Sequence, residues 1–216
     1  MNFLQISLTN RCNFNCWHCP MGKWHNSSPP RWPLCNAELI PWMDKYVQPD
    51  QWVVELTGGE PSLYPEIDEL LHWLSDNHYK TLVKTNGSGD LPHLPDVKLV
   101  AAFHQLKNPP KNYDVYLIVD KIDREAKEKY CNEHGIPYKV IGFGKENPDG
   151  YSHRFALCAY VNNAGHQVGC QARAVFEGVR DGVDYRRIPH RALVAMPCCP
   201  NCKAAIDADR FLEGLI

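Results

Sequence analysis

Apolar and polar residues alternate through Phe3-Leu4-Gln5-Ile6-Ser7-Leu8, which predicts a first strand ending near Thr9. Trp52-Val53-Val54-Glu55-Leu56 predicts a second strand, closed by Thr57-Gly58-Gly59-Glu60-Pro61. Thr81-Leu82-Val83-Lys84 predicts a third, ended by Asn86-Gly87, and residues 97–103, 115–119 and 138–141 give three more. Ile67, Leu70, Leu71 and Leu74 form the apolar stripe of an amphipathic helix. Leu39, Met43 and Tyr46 share a second helical face, with Pro41 expected in its first turn. Residues 122–134 predict a polar surface helix stopped by Gly135 and Pro137.

Strands alternating with helices predict a parallel sheet. The crossovers at 88–96 and 104–113 hold several prolines and leave no room for full helices. The expected fold is therefore α/β, a compact, open partial parallel (β/α)6 barrel over residues 1–147. Residues 22–36, rich in Pro, Ser, Asn and Trp, read as a long loop. From about residue 148 the pattern breaks into short apolar pieces, glycines and cysteines, which predicts a small C-terminal module over 148–216.

A chain of 216 residues suits one domain with a small appendage and buries a core without disulfides. The formal net charge of −2 gives no global pull toward nucleic acid or an anionic membrane. No apolar run reaches membrane-spanning length and the N-terminus carries no secretion signal, so a cytoplasmic protein is expected. Ten cysteines are many for a reducing compartment, where thiols serve as metal ligands or packing groups rather than disulfides. Three fall within 12–19 and five within 158–202, which points to two metal sites.

Cys12-x3-Cys16-x2-Cys19 supplies three thiolates from one loop after the first strand. A [4Fe–4S] cube takes four ligands, so three protein ligands leave one iron open for chemistry on a bound molecule. A zinc knuckle with a distant fourth ligand, or unligated thiols, would show the same spacing. The stretch Thr9-Asn10-Arg11-Cys12-Asn13-Phe14-Asn15-Cys16-Trp17-His18-Cys19 resembles the signature of the radical S-adenosylmethionine (SAM) superfamily. Its usual aromatic residue before the last cysteine is here His18.

The resemblance implies that Cys12, Cys16 and Cys19 hold a [4Fe–4S] cluster that cleaves SAM reductively to a 5′-deoxyadenosyl radical, which then abstracts hydrogen from a substrate. Thr57-Gly58-Gly59-Glu60-Pro61 looks like the family's GGE motif. By that match Gly58, Gly59 and Glu60 hold the methionine part of SAM. Paired glycines let backbone approach a ligand, and a carboxylate suits an ammonium group. Asn86 on the third strand tip, His104 near the SAM ribose and Gly142 beside the adenine are further contacts that the resemblance implies. All lie at the C-terminal ends of strands, where parallel α/β barrels build their sites.

In the tail, Cys158-x6-Gly165-x4-Cys170 followed by Cys199-Pro200-Asn201-Cys202 is similar to the Twitch module, a shortened relative of the SPASM domain. That match implies an auxiliary [4Fe–4S] cluster on Cys158, Cys170, Cys199 and Cys202, with Cys198 as the alternative to Cys199. Four such cysteines also suit a structural zinc. Cys35 in the long loop is a candidate hydrogen-atom donor or a plain loop thiol, and Cys131 a small packing residue. Arg186-Arg187-Ile188-Pro189-His190-Arg191 is a short basic run, and Trp24, Trp32 and Trp42 bracket the long loop.

The expected activity is that of a radical SAM enzyme, of oxidoreductase or isomerase type. Oxidation or dehydrogenation of a small polar molecule, with the auxiliary cluster relaying electrons, is the first expectation. Radical rearrangement or modification of a nucleoside, a nucleic acid or a peptide is the alternative. An electron donor such as flavodoxin or ferredoxin is the expected partner, and no membrane is. A non-catalytic zinc-binding interaction module is the rival of another class, and it leaves the placement of the GGE motif unexplained.

Overall fold

The computed structural model describes residues 2–16, 35–119, 123–141, 157–161, 167–168 and 196–197. Strand β1 (Asn2–Ser7) is followed by helix α1 (Asn36–Tyr46), strand β2 (Trp52–Thr57) and a single 3-10 turn over Pro61–Leu63. Then come α2 (Ile67–Asp76), β3 (Lys80–Thr85), β4 (Val97–Ala102), β5 (Val115–Val119), α3 (Arg124–Glu133) and β6 (Tyr138–Ile141). Backbone strands β7 (Leu157–Val161), β8 (Gln167–Val168) and β9 (Met196–Pro197) complete the described elements.

Strands β1 to β6 lie side by side in chain order and all pair in parallel, as the alternating pattern predicts. Both crossovers from β3 to β5 lack a helix. Hydrogen bonds hold those loops instead: Tyr113 Oη donates to the Gly89 carbonyl, and Tyr116 Oη to the Pro110 carbonyl. Within the segment expected as a separate module, only β7, β8 and β9 are described. β7 adds to the free edge of β1 in parallel, with Phe3 opposite Cys158, and β8 and β9 pair antiparallel to β7.

Side chains alternate across each strand, so the sheet has two faces with different work. One face carries Leu4, Ile6, Val54, Leu56, Val83 and Leu99 against Leu39 and Met43 of α1 and Leu70, Leu71 and Leu74 of α2. α3 seats Cys131 on Ala101, Phe103, Tyr116 and Ile118 of that same face. The opposite, inner face has its own small apolar floor of Leu82, Val100, Val115 and Leu117.

Two local expectations need correction. Pro41 lies in the middle of α1, not its first turn, so the Ala37 carbonyl loses its helical donor. α3 is not wholly a surface helix. Lys127 is buried, its ammonium 5.7 Å from the centre of the Phe103 ring, and burial holds its pKa below the usual lysine value. No described helix is long and apolar enough to cross a membrane.

Leu70 has no exposed surface and sits where α2 meets the sheet. Leu70→Ala is expected to lower stability by about 2–5 kcal/mol, through lost burial and the cavity left behind. Denaturant titration of the purified chain checks this.

Candidate active site

The site grows from the tip of β2. Leu8 N donates to the Thr57 carbonyl at 2.9 Å, Gly59 N to the Thr9 carbonyl at 2.6 Å and Glu60 N to the Arg11 carbonyl at 2.7 Å. The loop that follows β1 is thereby laced to the Gly58-Gly59 turn, backbone on backbone. A Cβ on Gly58, whose φ is +135°, would stand 2.5 Å from the Thr9 carbonyl oxygen, and one on Gly59 would overlap the Arg11 carbonyl. Both positions therefore require glycine to let the cysteine loop approach.

The tip of β3 grips the same loop from the other side. Asn86 Nδ2 donates to Asn13 Oδ1 at 2.8 Å, and Asn13 Nδ2 donates to Ser88 Oγ at 2.8 Å. Asn86 Nδ2 also lies 3.9 Å from Cys12 Sγ, and Phe14 N donates to that sulfur at 3.5 Å. Cys12 and Cys16 are both partly exposed at the mouth of the sheet.

The Glu60 carboxylate is engaged by the protein itself. The residue is fully buried. Its Oε1 accepts from Thr85 Oγ1 at 2.5 Å and from Ser62 N at 3.0 Å, and its Oε2 accepts from Asn86 N at 2.6 Å. The side chain is thereby a clamp between the tips of β2 and β3.

His104, just beyond β4, places Nδ1 3.7 Å from Cys16 Sγ and packs edge-on against Phe14, with ring centres 5.3 Å apart. Phe14, Asn86 and His104 line a cavity of about 310 Å³ together with Asp90, Gln105 and Lys111. Cys12, Cys16, Gly58, Gly59, Asn86 and His104 therefore converge at one mouth. His18, Cys19, Gly142, Cys170, Cys199 and Cys202 lie outside the described residues, as do Cys198, Trp24, Trp32 and the basic run 186–191. Cys158 is described only as backbone in β7. Cys35 is the N-cap residue of α1, its carbonyl accepting from Glu38 N and Leu39 N.

Sequence reasoning missed Asn13 and Ser88, which complete the asparagine ladder. It also missed a polar layer on the inner face, built from Gln5, Glu55 and Lys84. The signal was clearest at Glu55, a charged residue in the otherwise apolar run of β2, whereas β1 and β3 carry other polar residues that mask Gln5 and Lys84.

A family model described as Radical SAM superfamily matches residues 6–106. The 7-carboxy-7-deazaguanine synthase of Methanothermobacter thermautotrophicus is 31% identical over 94% of this chain and 77% of its own length. The chain belongs to the radical SAM superfamily. The GTP 3′,8-cyclase of Aquifex aeolicus is 32% identical over 52% of this chain, which spans 38% of that relative. Among solved structures, Streptococcus suis SuiB superposes with a TM-score of 0.54 at 13% identity, covering 83% of this chain and 61% of SuiB, a likeness of fold.

As a radical SAM enzyme, the chain calls for a [4Fe–4S] cluster and SAM, and the described residues fit both. Cys12 and Cys16 are soft sulfur donors on one loop, reachable from the mouth, and that loop is fixed on both flanks by hydrogen bonds. Gly59→Ala is expected to strip the reconstituted protein of most of its iron while leaving the helix content unchanged. Iron assay and far-UV circular dichroism on the same sample check this. A variant with full iron would mean that the close approach at Gly59 is dispensable.

Proposed function

We propose that this radical SAM enzyme acts on a guanine-type heterocycle or its nucleotide, in a radical rearrangement or ring modification. The carrying observation is the pair of relatives named for such chemistry, a 7-carboxy-7-deazaguanine synthase and a GTP 3′,8-cyclase. The first of them is aligned along almost the whole chain. This favours the nucleoside alternative over oxidation of a small polar molecule. The cavity beside Cys16 and His104 supports it too, being open at the strand ends and flanked by polar groups.

Cys12, Cys16 and Cys19 would hold the cluster, which would supply the one-electron reduction of SAM. The chain does the rest by position. Gly58 and Gly59 set the height of the cysteine loop above the sheet, and Glu60 fixes the tip of β3 beside it. Phe14 and His104 wall the cavity next to Cys16 on one flank and so orient what binds there. A flavodoxin or ferredoxin is the electron donor in this reading.

The experiment is a product assay on reduced, reconstituted protein with SAM and deuterated GTP, guanosine or 7-deazaguanine. At least one of these is expected to raise 5′-deoxyadenosine release by about tenfold or more and to deliver deuterium into it. Release that no guanine-type compound stimulates or labels removes this substrate class.

In the tail we assign Cys158, Cys170, Cys199 and Cys202 to an auxiliary [4Fe–4S] cluster, on the cysteine spacing alone. Anaerobically reconstituted protein is then expected to hold about eight iron and eight sulfide per chain. About four iron with one zinc would make the tail a structural zinc site.

A further inference from the structure

Beneath the mouth, the inner face of the sheet carries a layer that packing does not explain. Gln5 of β1 and Glu55 of β2 are direct register partners, and Gln5 Nε2 donates to Glu55 Oε1. Lys84 of β3 brings Nζ within 2.8 Å of Glu55 Oε2, an ion pair without directed hydrogen-bond geometry. Glu55 is fully buried. Its Oε2 meets the Lys84 ammonium and has no further polar partner.

Ser7 lies two residues beyond Gln5, on the same face and nearer the cysteine loop. Its residue exposure is 1% and its Oγ has no partner. On the next strand but one, Asn86 lies two residues beyond Lys84 and lines the cavity beside Cys16. Each such step is about 6.6 Å along a parallel strand, so the layer lies below the cavity floor and close to it.

Taking a carboxylate and an ammonium out of water costs several kcal/mol each, and a packed apolar layer of the same volume is often more stable. Beside it, on β3 to β5, the same face does pack apolar residues, Leu82 opposite Glu55 and Val100 opposite Lys84, with Val115 and Leu117 next to them. A buried ion pair whose carboxylate oxygen meets only the ammonium and keeps a second lone pair unfilled, under an unpartnered hydroxyl, has the pattern of a site awaiting a polar ligand.

We propose that Glu55 and Lys84 read the 2-amino-6-oxo edge shared by guanine and 7-deazaguanine. This rests on the guanine-type substrate proposed above and assigns the residues that select it. That edge presents two neighbouring donors, N1–H and the 2-amino group, beside one acceptor, O6. Glu55 Oε2 accepts from the donors and the Lys84 ammonium donates to O6. Gln5 stays on Oε1 and holds the carboxylate in place. The Lys84 side chain, 21% exposed, opens the layer toward solvent and gives the base a way in.

The test is equilibrium dialysis of the reconstituted, SAM-bound full chain against guanosine and against inosine, which lacks the 2-amino group. Wild type is expected to prefer guanosine. Glu55→Gln should weaken guanosine binding about tenfold or more and erase the preference. Lys84→Met should weaken both ligands. The double variant Glu55→Gln/Lys84→Met restores a neutral layer if a single change upsets folding, and it should also lack the preference.

A wild type that binds both nucleosides equally overturns the assignment without any variant. So do variants that keep the wild-type preference, and in that case the guanine-type reading stands. No binding of either nucleoside by wild type, with no stimulation of SAM cleavage, overturns both.

Discussion

Everything at the mouth of this sheet depends on one close approach, the backbone of the Gly58-Gly59 turn against the carbonyls of Thr9 and Arg11. Carbonyl and amide meet there with no side chain between them. A cluster-binding loop must be held in one shape, because its thiolates have to reach a common cube. A single methyl group at Gly59 would push the loop off its seat. Glu60 extends the constraint sideways. Three hydrogen bonds tie its carboxylate to the turn after β2 and to the tip of β3. Hydrogen bonds to a charged acceptor contribute about 1.5–3 kcal/mol each, enough to fix the relative height of the two strand tips.

The two faces of the sheet divide the work of stability and function. The helix-covered face is continuously apolar, from Leu4 and Ile6 through Val54 and Leu56 to Leu99. It holds the strands in register and so holds the loops at their ends. The inner face gives up part of that apolar packing. It keeps four aliphatic residues on β3 to β5 and is polar beside them at Gln5, Glu55 and Lys84, with Ser7 between these and the cysteine loop. Stability is supplied from one side of the sheet so that the other side can carry charge.

Much of this was legible in the sequence, for physical reasons. Strand positions follow from alternation of apolar residues, and the parallel order follows from strands alternating with helices. Prolines in 88–96 and 104–113 correctly foretold two crossovers without helices. Cys12, Cys16 and the GGE motif lie together because strand tips in a parallel sheet all point one way. What pattern could not supply was the direction of individual side chains. Glu60 was read by its charge alone, and the bonds its oxygens accept from Thr85, Asn86 and Ser62 were not foreseen. Lys127 looked like any exposed lysine on a polar helix. The pairing of β7 with β1 joins segments about 150 residues apart, beyond the reach of local periodicity. Gln5, Glu55 and Lys84 became meaningful only once the inner face was known.

The most direct test of the site is electron paramagnetic resonance of the reduced, reconstituted protein, recorded with and without SAM. A loop that holds three irons and leaves one open gives a reduced-cluster signal that changes when SAM binds, and Cys12→Ala removes that change. A reduced-cluster signal that SAM leaves untouched would contradict an open iron at this loop, and with it the radical chemistry built upon it.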